Sequence, residues 1–246
     1  MRRQLLSGVF ICVWIVSFGQ LSEVRRITET LCSPEFHGRG YVNKGDSIAA
    51  AFIASEFQKI GIKPIKKSYF QPFALSVQTF PGKMEVFTSE LRLKPGIDFM
   101  VDPSSAGFKS VLRPKYISLE TILNDDEFTA TFRSVISDGK YNAVVLDLSA
   151  AKGDTLKKLR GLSTELARYT AIIEVTAEKF TWAISDHVLK YPLIYVKPDL
   201  LREGDELQLN IEAKFIKNYT SRNVIAYLPA KKKSKKTIVY TAHYDH

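Results

Sequence analysis

The chain has 246 residues, of which 45% are hydrophobic and 25% are charged. This composition is typical of a globular protein, and it excludes a mainly disordered, collagen-like or disulfide-scaffold chain. The length allows one large domain or two smaller ones, each with a substantial core.

The net charge is +9, from 35 Lys and Arg against 26 Asp and Glu, which raises the question of an acidic partner. Most of this charge lies in two places. Arg2 and Arg3 contribute +2, and the five lysines of residues 231–236 contribute +5, which leaves +2 for the rest of the chain. Because no face-wide basic stripe follows from this distribution, we expect no nucleic-acid partner.

The first 19 residues are predicted to be a signal peptide. Arg2 and Arg3 precede an uncharged, mainly apolar stretch over residues 5–19, which has the length of a signal sequence and is short for a membrane-spanning helix. Small residues at Ser17 and Gly19 predict cleavage before Gln20. An uncleaved anchor is the alternative. We therefore expect export to the periplasm or the extracellular space, with no membrane attachment after cleavage.

Two helices are predicted in the segment that follows. Apolar residues at helical spacing predict a first helix over residues 21–31, capped by Ser22 and ended by Pro34. A second helix is predicted over residues 47–60, with Asp46 as its N-cap. Its expected apolar stripe consists of Ile48, Phe52, Ile53, Phe57 and Ile60.

Cys32 is the single cysteine that remains once the signal peptide is removed, so an intrachain disulfide within this chain is excluded. We expect it to be a small buried hydrophobic residue rather than a catalytic thiol.

The middle of the chain mixes strand and helix patterns. Short apolar runs at residues 144–146, 171–173 and 193–196 predict buried strands, and leucines at helical spacing over residues 156–166 predict a helix between them. Strict alternation over residues 207–215 predicts a strand with one solvent-exposed face. Together these patterns predict an α/β or α+β module of its own.

Two further strands are predicted over residues 223–228 and 237–242, joined by the lysine run. A solvated connection is favoured over a polyanion site for these lysines, which also discourage pairing between strand edges.

The most distinctive chemistry follows the last predicted strand, at His243 and Asp245. Residues two apart on an extended backbone point to the same face, and strand ends of open α/β sheets bind ligands. A neutral imidazole is a good zinc ligand, and a neighbouring carboxylate orients its ring. The same spacing is also common on protein surfaces. His246 faces the other way, and His37 and His187 are predicted to be structural or solvated.

Four stretches carry a resemblance to a known family. They are LCSPEFHGRG (31–40), DSIAAAFIASEFQKIGIKPI (46–65), SYFQPF (68–73), and SRNVIAYLP followed by TIVYTAHYDH (221–229 and 237–246). With them the chain resembles the secreted zinc aminopeptidases of metallopeptidase family 28, especially bacterial members that carry an inserted protease-associated-like domain. The last pair is the most specific, and the middle of the chain matches only in layout.

The resemblance implies an α/β zinc-exopeptidase fold that is incomplete in this chain. Residues 20–68 would be its N-terminal helical part, residues 69–215 an inserted α/β protease-associated-like domain, and residues 216–246 the first strands of the zinc peptidase domain. The expected substrate is a peptide or protein, cleaved at its N-terminus. Oligomeric state stays open.

The resemblance also implies roles for the site residues. His243 matches the family's first zinc-ligand histidine, and Asp245 matches the active-centre aspartate that orients this histidine. Two zinc ions are expected in the full-length protein. Their other ligands and a glutamate general base would follow residue 246, so the chain by itself is predicted to be inactive. His37 departs from the acidic residue that many relatives carry before Gly-Arg.

Two alternatives stay open. A glutaminyl cyclase-like zinc enzyme has a related fold but usually lacks a large inserted domain. A non-catalytic binding protein on a peptidase fold is the other. No HExxH, P-loop, GxSxG or CxxC motif supports a different enzyme class.

Overall fold

The computed structural model describes residues 21–181, 183–232 and 235–245. The predicted signal peptide falls on residues 1–19 and lies outside these ranges. Within them, no helix is both long enough and apolar enough to cross a membrane.

The chain has a mixed α/β architecture. Its helices are α1 (21–31), α2 (Gly45–Lys59), α3 (Leu119–Leu123), α4 (Asp125–Ser137) and α5 (Gly153–Leu166), and two 3-10 segments, Pro34–Arg39 and Val42–Lys44, connect α1 to α2. Its strands are β1 (Lys63–Pro64), β2 (Phe70–Thr79), β3 (Met84–Phe87), β4 (Arg92–Leu93), β5 (Phe99–Val101), β6 (Phe108–Leu112), β7 (Pro114–Ile117), β8 (Ala143–Asp147), β9 (Ala171–Val175), β10 (Leu193–Val196), β11 (Leu207–Ile211), β12 (Lys214–Val224) and β13 (Ala226–Tyr227).

The chain divides into two compact units. Unit 2 is Leu75–Tyr219, and unit 1 is formed by the chain on both sides of it, up to Ala74 and from Thr220. The four segments expected from the sequence, and the identification of the middle one as a protease-associated-like domain, stay predictions.

The main sheet of unit 2 has the strand order β5-β10-β9-β8-β7. Strands β7 to β10 are parallel, and β5 pairs antiparallel to β10 at the edge. The three apolar runs predicted as buried strands are confirmed as β8, β9 and β10, and β9 is buried along its whole length. Continuous apolar sequence fits a parallel sheet, because both of its faces are covered. The predicted leucine helix is α5, which buries Leu156, Leu159 and Leu166 against this sheet.

A second sheet of unit 2 is antiparallel, in the order β4-β3-β11-β6. Strand β11 alternates between buried and more exposed residues, as predicted for residues 207–215, but it ends at Ile211, and β12 begins at Lys214. One buried cluster includes residues of both sheets, among them Val86 and Leu209 from the second sheet and Ile173 and Ile194 from the main sheet. The two sheets therefore share a core.

Helix α2 of unit 1 is confirmed, with two differences from the prediction. Its N-cap is Lys44, and Asp46 lies inside the first turn. The predicted apolar stripe is wrong at its ends, because Ile48 and Ile60 are exposed. The buried face is formed instead by small residues, mainly Ala49, Ala50 and Ala54. Small side chains allow α2 to pack closely on the 3-10 segment Pro34–Arg39.

The first predicted helix is confirmed as α1, but its details differ. Ser22 lies within the helix rather than at a cap, and Leu21 and Val24 are exposed. Cys32 is also exposed, so its expected burial is wrong. It follows the last residue of α1, a helix whose apolar residues Leu21 and Val24 are themselves exposed.

The end of the chain departs most from prediction. Residues 223–228 are confirmed in part, as the end of β12 and as β13, which pairs with β1. Residues 237–242 do not form the expected strand, and Ile238 and Tyr240 are 79% and 90% exposed. A strand requires a hydrogen-bonded neighbour, and the part of the chain that the structure describes supplies none for this segment.

An ion pair between the partly exposed Arg160 and a buried carboxylate joins α5 to the main sheet of unit 2. The Glu174 side chain is fully buried in β9, and its Oε1 accepts a hydrogen bond from Arg160 Nε at 3.1 Å. Its Oε2 has no hydrogen-bond partner among the described residues. Burial raises the pKa of the Glu174 carboxyl above its ordinary value, and the Arg160 guanidinium opposes this rise. The folded protein therefore binds a proton at Glu174 more tightly than the unfolded chain does.

This difference predicts that Glu174 makes folding stability fall as pH rises. The contribution of a carboxyl group with a raised pKa is fully present below the ordinary value of 4.5, and it is lost as pH rises through the folded pKa. We expect Glu174→Gln to remove this slope, because the amide does not titrate. Urea unfolding of unit 2, measured between pH 4 and pH 8 for wild type and variant, checks the prediction.

Glu165→Gln is the matched control. Glu165 lies on α5, is mostly exposed and pairs with Arg168 at 3.2 Å, so we expect this variant to keep the wild-type slope. Parallel pH profiles for wild type and Glu174→Gln would contradict the role assigned to Glu174.

Candidate functional site

The structure places His243 and Asp245 side by side in unit 1. The distance from His243 Nδ1 to Asp245 Oδ1 is 3.5 Å, and the two side chains are 83% and 60% exposed. The pair that the spacing predicted is therefore adjacent and faces solvent. Its roles as metal ligand and active-centre carboxylate stay predictions.

Tyr244, between them, attaches this segment to the rest of unit 1. Of the described residues in 235–245, it is the one that is not exposed. Its hydroxyl donates a hydrogen bond to the Arg222 carbonyl, and its own carbonyl accepts one from Arg39 Nε at 3.0 Å. The segment is thus held at Tyr244, between the two site residues, by the side chain and by the backbone.

The Tyr244 hydroxyl is suited to donate this bond. Burial raises the pKa of its phenol, the negative charges of Asp46 and Asp245 add to the rise, and the Arg222 guanidinium opposes it. The phenol therefore stays protonated at neutral pH, and the hydrogen bond to the Arg222 carbonyl persists.

Arg39 holds its position through two carbonyl groups. Its Nη1 donates to the Leu31 carbonyl, at the end of α1, at 2.5 Å, while its Nε donates to Tyr244. Its backbone has a φ of 61°, and the two preceding residues, His37 and Gly38, also have positive φ. Left-handed backbone at a residue other than glycine costs roughly 1–3 kcal/mol, and such residues cluster at functional sites. The hydrogen bonds of Arg39 help to offset this strain.

The first turn of α2 is hydrogen-bonded to this loop. The Asp46 amide donates to the Gly40 carbonyl at 2.7 Å, and the buried Asp46 carboxylate accepts a hydrogen bond from Ser221 Oγ at 2.7 Å. Gly45 lies at the point of closest approach. A Cβ atom there would lie 2.3 Å from the Phe36 carbonyl oxygen, so only glycine fits without a backbone shift.

Two other histidines lie among the described residues. His37 is exposed, and its Nδ1 is 3.5 Å from Asn43 Nδ2. His187 is in unit 2, where its Nδ1 is 3.0 Å from the exposed Asp186. His246 lies outside the described residues.

The described residues can supply part of the ligand set of a zinc site, but not all of it. Zinc takes four ligands in structural sites, and three protein ligands in catalytic sites. No group of three or more His, Cys, Asp or Glu side chains in the described part of the chain is close enough to hold a metal ion. His243 can supply one ligand, with Asp245 beside it.

The sequence patterns did not identify the supporting contacts. Arg39 and Tyr244 are 205 positions apart, and Asp46 and Ser221 are 175 apart. The available signal was the Gly-Arg-Gly segment at residues 38–40, which belongs to the family resemblance but has no spacing that points to Tyr244.

Comparison with known proteins gives a weak structural similarity to one solved structure. No protein-family model matches the chain, and no curated protein matches it. The chain is similar in structure to an aminopeptidase from Aneurinibacillus sp. strain AM-1, with 17% sequence identity and a TM-score of 0.43. The match covers 77% of this chain and 44% of the aminopeptidase, so the chain spans less than half of that protein's length.

The close approach at Gly45 generates a stability prediction. We expect Gly45→Ala to lower the free energy of unfolding of unit 1 by about 2 kcal/mol, because the new methyl group meets the Phe36 and Gly40 carbonyls. Urea unfolding followed by circular dichroism measures this change.

Gly161→Ala is the matched control, with the opposite expected sign. Gly161 lies in α5 of unit 2, and nothing lies within 4 Å of the position of an added Cβ. Alanine is the better helix former, so we expect unit 2 to gain about 0.5–1 kcal/mol. A Gly45→Ala protein as stable as wild type would show that the loop does not depend on this close packing.

Proposed function

We propose that the chain is the N-terminal part of a longer zinc-dependent aminopeptidase that removes residues from the N-terminus of peptides or proteins. In this proposal His243 is a zinc ligand and Asp245 is the carboxylate that orients it. The observation that carries the proposal is the pairing of the two side chains at 3.5 Å, on an exposed segment that is held at Tyr244.

The geometry of the pair supports these roles. His243 Nδ1 lies 3.5 Å from Asp245 Oδ1, which is an ion-pair distance rather than a hydrogen bond, and in this proposal Nε2 is the zinc ligand. A hydrogen bond from Nδ1–H to a carboxylate fixes the tautomer that leaves Nε2 as the ligand atom, and it raises the basicity of the ring. The high exposure of His243 allows groups from elsewhere to approach it.

The rest of the site belongs, in this proposal, to the chain that follows residue 246. Further ligands for two zinc ions and a glutamate that acts as general base would come from there. Bound zinc supplies a Lewis acid that polarises the scissile carbonyl and lowers the pKa of a bound water. The residues present here contribute one ligand and its orientation, so we propose that the chain by itself is inactive.

The wider assignment follows the sequence resemblance. We propose that unit 1 begins an α/β zinc-exopeptidase fold, and that unit 2 is its inserted protease-associated-like domain. The near-neutral charge outside the two basic runs supports a peptide rather than a nucleic acid as partner. The apolar N-terminal segment supports export to the periplasm or beyond.

The test is a substitution of the proposed ligand in the longer protein. We expect His243→Ala to abolish zinc-dependent hydrolysis of an aminoacyl p-nitroanilide, because one ligand is lost. We expect Asp245→Asn to lower zinc affinity about 10–100-fold, since the imidazole loses its orienting carboxylate. Initial rates and chelator competition measure the two effects.

His187→Ala is the control, because it removes an exposed histidine from unit 2, and we expect it to keep full activity. The 246-residue chain with added zinc should give no hydrolysis. Wild-type activity in His243→Ala would rule out the ligand assignment, and release of ammonia from N-terminal glutamine peptides in place of hydrolysis would favour a glutaminyl cyclase.

A further inference from the structure

We propose that Arg39 is a positioning residue for the His243–Asp245 pair: it holds the Tyr244 backbone and thereby keeps the imidazole and the carboxylate next to each other on the exposed side of the segment. The meaning of this pair as a metal-binding edge rests on the proposed function. The positioning itself rests on contacts within unit 1.

The exposed segment 235–245 is attached to unit 1 at Tyr244. Residues 235–243 and 245 are exposed wherever the structure describes them, while Tyr244 is half-buried. Tyr244 forms hydrogen bonds through its hydroxyl and its carbonyl, so both ends of this residue are fixed. When a residue is held in this way, the directions of its two neighbours along the chain are restricted as well.

The Arg39 guanidinium, which holds the Tyr244 carbonyl, is a rigid group. A guanidinium is planar, and its donors lie in a fixed fork. The bond of Arg39 Nη1 to Leu31 sets the orientation of this fork against the end of α1, and Nε then presents its proton to Tyr244. A single rigid group thus fixes the position of the Tyr244 carbonyl relative to α1.

The backbone from which the Arg39 side chain extends is also held in place. Its Cα lies in the left-handed loop, and the Gly40 carbonyl that follows is bonded to the first turn of α2. The guanidinium therefore connects the end of α1 to the backbone between His243 and Asp245, and the backbone next to Arg39 is hydrogen-bonded to α2. Lysine carries the same charge on one ammonium group and lacks the fork, so charge alone does not replace this arrangement.

The experiment uses the 246-residue chain and the variant Arg39→Gly. Glycine accepts the φ of 61° without strain, so the loop backbone is kept while the guanidinium is removed. The readout is the nuclear Overhauser effect between the His243 ring protons and the Asp245 methylene protons. We expect this effect to be at least several-fold weaker in Arg39→Gly, and Arg39→Lys to fail to restore it.

Arg25→Ala is the matched control, since it removes an exposed guanidinium from α1, and we expect the wild-type effect there. Hydroxyl-radical footprinting adds a second readout. The reactivity of Tyr244 should rise in Arg39→Gly toward that of Tyr240, which is 90% exposed in the same segment. A purely structural role would lower the melting temperature and leave the Overhauser effect of the folded protein unchanged.

The outcomes separate this inference from the proposed function. An Overhauser effect of wild-type strength in Arg39→Gly overturns the positioning role, whatever the enzyme assays show. In the longer protein, we expect Arg39→Gly to raise the rate of zinc loss to a chelator about tenfold. If the Overhauser effect is lost while His243→Ala stays active, the positioning stands and the zinc assignment fails.

Discussion

The absence of a side chain at Gly45 is the constraint on which the arrangement of unit 1 depends. The carbonyl oxygens of Phe36 and Gly40 approach the space that a Cβ atom would fill, so α2 begins directly against the preceding loop. This contact lets the Asp46 amide bond the Gly40 carbonyl and keeps the left-handed backbone next to it in place. The position of Arg39 therefore depends on the absence of a side chain at Gly45. Through Arg39, the position of Tyr244 depends on it as well.

Patterns that act over a few residues were read correctly from the sequence. The strands β8, β9 and β10 are continuous apolar runs, and such runs favour burial on both faces of a sheet. The spacing of two residues also predicted that His243 and Asp245 lie on the same side of their segment. Helix α2 shows the limit of this approach. Its large apolar residues suggested a stripe, but the closeness of the loop favours a buried face of alanines.

Contacts between distant segments were not predictable in the same way. Residues 237–242 have strong strand propensity, yet a strand is completed by a neighbour, and the sequence of the segment does not say where that neighbour is. The bonds from Arg39 to Tyr244 and from Arg160 to Glu174 join different elements, and neither lies on a helical or strand period. Polar pairs of this kind are recognised only when the fold has already brought the elements together.

The segment around Tyr244 shows how an exposed pair of side chains can still be ordered. Tyr244 provides the burial and the hydrogen bonds, so its two neighbours reach solvent without losing their relation to the fold. A ligand that is already oriented loses less conformational freedom when it binds, and the binding free energy improves by that amount. In the proposed function, residues that do not touch the metal therefore orient one of its ligands. On this view the loop around Arg39 belongs to the site as much as His243 does, although it lies more than 200 positions away in the sequence.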